Sequence, residues 1–344
     1  MKQRIYIGFI LLTLFFSYSC NDENRGLPNA TGGICEIMLV ADNAAQLKGE
    51  IGDTINHFFN QFLPGMPMPE ESFTSSTTTI GFFNNNSMFR THHAILFINI
   101  NPKAAKNTVE ARTDLWAKPQ KVVKITATSD TAFYRLFTEY YPSLFRLYRS
   151  VEKQRMVKMF STSPAKQIVD KLKQSYGIEM LVPGGFAESV SNKNFYWIRQ
   201  KIHRTKQDTE LGFLFYFRNY TDTADLSSTR IIHLRDSIVK KYIPGPTEGS
   251  YMTTSTEVVL PEFKRTADFS TGLAIETRGL WKVVHDFMGG PFVSYTFIDK
   301  YRNRIVTAEG YLYSPGTEQR KFVLQIETIL NSIKVIDPQS ENKK

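Results

Sequence analysis

The run HDFMGGPFVSY, residues 285–295, brings a histidine, an aspartate and a Gly-Gly-Pro together within eleven residues. An imidazole beside a carboxylate can exchange a proton with a substrate, and a second carboxylate, Glu309, stands on the next strand-like segment. His285, Asp286 and Glu309 are therefore the candidates for acid–base chemistry, of a hydrolytic kind. Gly289 and Gly290 tolerate positive φ or close backbone approach, and Pro291 fixes the angle at which the chain leaves them. The chain then continues in an alternating strand pattern, Phe292–Asp299, rather than in the helix N-terminus that a phosphate cradle needs. A tight corner between two strands accounts for the same residues. That structural reading is preferred, and no catalytic residue is assigned.

Other catalytic spacings are absent. The chain has no His-Glu-x-x-His, Cys-x-x-Cys, Gly-x-Ser-x-Gly or Gly/Lys phosphate loop. Its six histidines are His57, His92, His93, His203, His233 and His285. His92 and His93 are adjacent on a predicted strand, which would send them to opposite faces. No metal and no cofactor is expected. The segment around 135–158 interleaves aromatics with Arg135, Arg146, Arg149, Lys153, Arg155 and Lys158. It reads as an amphipathic helix with a core stripe and a basic outer face, open to anionic membrane or glycan; no nucleic-acid partner is expected.

These residues must be held by ordered elements. Residues 35–42 read as a buried strand leading into a helix over 43–62, with Leu47, Ile51, Ile55, Phe58 and Phe62 at helical spacing and a stop at Pro64-Gly65. Strands are predicted over 88–100 and in QKVVKITATS. Asp130 is expected to cap a helix over 131–160 that Pro142 should kink or divide. A helix over 165–176 ends at Gly177, and a strand is expected to begin in IEMLVPGGF. NFYWIRQ and LGFLFYFRNY continue a sheet, and a helix over 227–243 stops at Pro244-Gly245. TEVVLPEF, STGLAIETRGLW, PFVSYTFID and RIVTAEGYLYS read as strands, the last two as an antiparallel hairpin. A final helix over 317–335 would be capped by Thr317. The fold class is α+β, a largely antiparallel sheet packed with several helices. The Asp-x-Ile openings at Asp53 and Asp236, each running to a Pro-Gly stop, leave open a duplication into two related halves, 34–176 and 177–338, with a polar tail at 339–344.

The beginning of the chain sets its address. Lys2 and Arg4 precede twelve apolar residues, Ile5–Phe16, too short to span a membrane but suited to a secretory signal. Ser17-Tyr18-Ser19-Cys20 resembles the lipobox of bacterial lipoproteins, departing from it at Ser17, where leucine is usual. The resemblance implies a signal peptide over 1–19 and acyl chains on Cys20 that tie the protein to a membrane. With Cys20 acylated, Cys35 has no partner within the chain and is expected as a small core residue. Residues 20–33 form a polar tether, and its thirteen residues after Cys20 reach at most about 40 Å. The net charge of +9 fits proximity to anionic lipid or glycan. The expected location is the cell envelope of a Gram-negative bacterium, in the outer membrane, with either face open.

RGLWKVVHDFMGGPFVSYTFIDKYRNRIVTAEGYLYSPGTEQRKFVLQIETIL, with LPGMPMPEESF at 63–73, resembles the domain-of-unknown-function 4837 family. FMGGPFVSY, EGYLYSP and the pair Arg320-Lys321 carry the resemblance, and Phe287, Met288, Gly289, Gly290, Pro291 and Phe292 form its hallmark. It implies an envelope lipoprotein and brings no reaction, ligand or catalytic residue. The expected function is a binding or structural module with an envelope protein or glycan partner; the alternative is an envelope hydrolase working near His285.

Overall fold

The computed structural model describes residues 26–203 and 208–339. Cys20, the signal segment, the first part of the tether and most of the polar tail lie outside them. The first sheet holds β1 (Glu36–Ala41), β2 (Thr74–Thr79), β3 (Ala94–Ile100), β4 (Thr108–Thr113) and β5 (Lys121–Ala127), in the order β2-β1-β3-β5-β4. Its pairs are parallel except at the β4 edge. Between β1 and β2 run α1 (Ala44–Lys48) and α2 (Glu50–Phe59); α3 (Ile80–Asn85) and α4 (Ser87–Arg90) lead to β3. The expected helix over 43–62 is thus two. Asn43 caps α1 through its side chain, and extended Gly49 interrupts the helix before α2.

Next comes α5 (Asp130–Phe160), one helix of 31 residues that Pro142 does not divide. Its cap is Ser129, whose hydroxyl accepts the Ala132 N–H, so Asp130 lies in the first turn and complements the helix dipole instead. After α6 (Lys166–Tyr176), the segment Ile178–Glu179 contributes only a two-residue strand, β6. The second sheet comprises β7 (Ala187–Asn192), β8 (Phe195–Ile202), β9 (Thr209–Asn219), β10 (Met252–Ser255), β11 (Glu262–Phe269), β12 (Gly272–Val283), β13 (Gly289–Asp299) and β14 (Arg304–Tyr313). Its order is β10-β12-β13-β14-β9-β8-β7, with β11 also on β12, and its pairs are antiparallel. The helices α7 (Ser228–Tyr242) and α8 (Arg320–Leu330) flank it, and β15 (Lys334–Val335) pairs with β6.

The fold is α+β, and largely antiparallel. The two sheets are not copies: one is parallel at its centre and the other antiparallel throughout, so the echo between Asp53 and Asp236 has no counterpart in strand order. Of TEVVLPEF only Glu262 and Phe263 enter a strand; Val258 and Leu260 stand exposed in the loop before it. Thr317 bonds Ser314 rather than capping α8. The cap comes from Glu70, whose carboxylate accepts the N–H groups of Gln319 at 2.8 Å and Arg320 at 2.6 Å.

One apolar cluster joins the halves. Leu39, Leu96 and Ile125 of the first sheet, Phe137 and Tyr148 of α5, Phe322 and Ile326 of α8, and Phe213 and Tyr295 of the second sheet all belong to it. The helices α5 and α8 are therefore sandwiched between the sheets, and their polar positions face protein as well as solvent. On the far face of the second sheet, Val239 of α7 packs with Leu214, Trp281, Phe292 and Tyr311.

Candidate functional site

The strands that carry the sequence candidates separate them. His285 occupies the turn between β12 and β13, exposed and with φ +63°. The turn is closed by Val283 N–H donating to Met288 O at 2.9 Å, and Asp286 Oδ1 accepts the Met288 N–H at 2.9 Å. Asp286 thus shapes the turn, and Phe287 projects fully into solvent at its tip. Gly289 and Gly290 already belong to β13, without positive φ. A Cβ on Gly290 would stand 2.0 Å from the Leu312 carbonyl oxygen, which also accepts the Trp281 indole N–H at 3.1 Å. The pair permits close backbone approach. Pro291 and Phe292 are buried, and Phe292 lies under the Arg235 guanidinium at 4.0 Å.

Glu309 is paired in register with Ser294, which lies about 17 Å along β13 from Gly289 at strand rise. It is fully buried and gripped by Arg235 of α7, through Nε to Oε2 at 2.9 Å and Nη2 to Oε1 at 2.7 Å. Arg235 also donates to Thr254 Oγ1 at 2.9 Å, and that hydroxyl donates to Asp236 at 2.7 Å. Burial opposes both charges, but Glu309 holds the Arg235 guanidinium above its ordinary range. Both carboxylate oxygens are engaged. The three candidates diverge, so they do not form one acid–base site.

His92 and His93 depart from expectation too. They precede β3, where Thr31 forms a bridge, and their rings stack at 4.7 Å rather than pointing apart. His93 Nε2 lies 2.6 Å from Glu152 Oε1, which accepts the Cys35 N–H at 2.6 Å. Arg155 reaches Glu152 at 3.3 Å and donates to Gly32 O at 2.8 Å. Burial pushes the His92 ring down to about 4 and the Cys35 thiol up to about 11. This network fastens the end of the tether onto α5. Among the described residues no group of three or more His, Cys, Asp or Glu could hold a metal ion.

The residues that do converge were missed. A cleft of about 480 Å³ opens between α5, the β11–β12 edge, α8 and the loop at residues 61–64. From α5 come Arg146, Arg149 and Lys153, at spacings of three and four that put them on one stripe. The strands β11 and β12 add Glu262, Phe263, Lys264, Glu276 and Arg278, and α8 adds Glu327. Glu327 bridges Arg149 at 2.5 Å and Arg278 at 2.7 Å. Arg278 also bonds Glu276, whose other oxygen accepts the Tyr295 hydroxyl at 3.2 Å. Burial alone would raise the Glu327 carboxyl, but Arg149, Arg278 and Lys153 hold it down to about 2. Arg149, expected on an outer face, is only 13% exposed because the second sheet and α8 cover it. Lys153 makes no hydrogen bond or ion pair among the described residues, and burial lowers its ammonium below the ordinary range despite Glu327. Five cations against three carboxylates leave the cleft positive. The signal in sequence was the i, i+3, i+7 spacing of the three cations, which is silent about what packs against them.

Residues 165–332 match the family model described as Domain of unknown function (DUF4837), and residues 30–161 match that of Domain of unknown function (DUF8532). No curated protein matches. Among solved structures the chain is similar to a mutant of protein Mog1, at 10% identity over 48% of this chain and 93% of that one, with a TM-score of 0.30. It is similar also to the Saccharomyces cerevisiae Ran-binding protein Mog1p, at 10% identity over 48% of this chain and 94% of that one, with a TM-score of 0.31. Scores this low carry no argument.

Proposed function

We propose, for a chain whose residues 165–332 belong to the domain-of-unknown-function 4837 family, that the whole is a lipid-anchored envelope protein binding an envelope glycan in the cleft between α5 and the β11–β12 edge. The observation that carries the reading is the composition of that cleft. Four chain segments converge on it with eight ionisable side chains, while Phe62, 64% exposed, and Phe263 stand at its margin. Exposed rings beside fixed polar groups suit a sugar, whose C–H face can lie on an aromatic while its oxygens meet the charged floor. Catalysis near His285 is disfavoured by the separation of His285 from the buried Glu309–Arg235 pair. Acyl chains on Cys20 and a short tether would keep the body close to the outer membrane, and the network around Glu152 gives the tether a firm landing point.

Two measurements test the reading. Cys20→Ala should move the protein from the membrane pellet to the soluble fraction of the producing cells; a variant that still sediments with membranes would refute the anchor. On an array of envelope glycans, the wild-type protein should retain a subset of sugars, and Phe62→Ala with Phe263→Ala should weaken that retention about tenfold, the range expected for losing aromatic contact area. Retention unchanged in the double variant would place the ligand elsewhere.

A further inference from the structure

The carboxylates of the cleft are largely committed. Both oxygens of Glu327 are held by Arg149 and Arg278, and those of Glu276 by Arg278 and Tyr295. Arg146 bonds only the Ser143 hydroxyl, at 3.1 Å, and Lys153 bonds nothing among the described residues. An ammonium carries three donors, and withdrawing it from water without a partner is unfavourable. Placing it one turn from Arg149 on the same helix stripe adds like-charge repulsion. A fold that tolerates both costs at one point of an open cleft leaves the ammonium's donors unspent, with only the through-space attraction of Glu327 and Glu276 beside them. Glu262, the remaining carboxylate of the lining, forms no ion pair with it.

We infer that the glycan bound in this cleft carries an oxyanion, a carboxylate or a phosphate, and that Lys153 with Arg146 receives it. The inference rests on the cleft being the ligand site and adds the chemical class of the ligand. A sugar acid would set its ring near Phe62 and Phe263 and direct its charge to the α5 stripe.

The test is calorimetric titration of the purified mature chain with glucuronate, glucose 6-phosphate and glucose. Wild-type protein should bind at least one of the two acids and prefer it to glucose. Lys153→Met should weaken that binding about tenfold or more, as expected for a charge-assisted hydrogen bond. Lys103→Met, at an exposed site outside the cleft, should leave it unchanged. The thermal midpoint of Lys153→Met should be equal or higher, because burial and the repulsion of Arg149 and Arg278 outweigh the attraction of Glu327 and Glu276 for this ammonium; loss of binding without loss of fold separates recognition from a structural role. Which acid binds distinguishes carboxylate from phosphate. Glucose bound as tightly as either acid, and equally by wild type and Lys153→Met, would overturn the oxyanion while leaving a glycan cleft in place. Acid binding that Lys153→Met does not alter, or no binding of either acid, would overturn the inference; array retention lost on removing Phe62 and Phe263 would still stand for the cleft itself.

Discussion

Arg235→Met should destabilise the protein by about 3–5 kcal/mol, the range for removing one partner of a buried ion pair. Arg235 and Glu309 are 1% and 0% exposed, and Arg235 supplies both hydrogen bonds that Glu309 receives from a cation. Methionine fills much of the space but leaves the carboxylate in an apolar layer of Leu214, Trp281, Phe292 and Tyr311 with no counter-charge. Equilibrium urea unfolding followed by tryptophan fluorescence would measure the loss. The double variant Arg235→Met, Glu309→Leu should recover most of it, because replacing both partners removes the unpaired charge. A single-variant loss below about 1 kcal/mol would mean that the pair is not desolvated as its geometry requires. The same experiment bears on function. A carboxylate kept for proton transfer must be able to reach a substrate, whereas one whose removal matters only together with its arginine is holding α7 onto the sheet.

That pair shows what sequence can and cannot convey here. Glu309 is a candidate in sequence because it is a carboxylate on the strand paired with the one that follows His285 and Asp286; its actual partner lies 74 residues away on α7, a pairing that no spacing encodes. Alternation and helical periodicity placed the β13–β14 hairpin, α6, α7 and the extent of α5, though not its passage undivided through Pro142, since those patterns report directly on which face is apolar. They failed where a second layer covers a polar face. The α5 cations read as solvated because a helix stripe of Arg and Lys usually is, and only the arrival of β12 and α8 turns Arg149 inward. The same physics explains His92 and His93. A strand started at 88, six residues too early, would alternate them, but β3 begins at Ala94, and ahead of it the chain is fixed by Thr31 and Glu152. The parallel first sheet was invisible for a related reason: the sense of strand pairing depends on where the connecting helices lie, not on the strands' own composition.

Glu327→Gln tests the centre of the cleft and should have a pH signature as well as a size. The amide keeps the shape of the side chain but leaves Arg149 and Arg278 facing each other without their shared anion. A loss of about 3–5 kcal/mol at neutral pH is expected from breaking a buried charge network. In the wild type, Arg149, Arg278 and Lys153 override burial and depress the carboxyl from 4.5 to about 2. A depressed acid contributes stability that is complete above its unfolded value and disappears as pH falls through its folded value. The window is therefore pH 4.5 down to 2, and the contribution lost across it is about 3 kcal/mol. Glutamine does not titrate, so the stability difference between wild type and variant should be constant from pH 7 to 5 and then shrink as the pH approaches 2. Urea unfolding at a series of pH values measures this difference directly, and a difference that stays flat across the window would show that the carboxylate is not held by its three cations. Removing this anion also makes the cleft more positive. If Lys153 and Arg146 receive an oxyanion, folded Glu327→Gln should bind the acidic sugar more tightly than wild type while being the less stable protein. A structural ion-pair cluster with no ligand gives no reason for those two quantities to move in opposite directions.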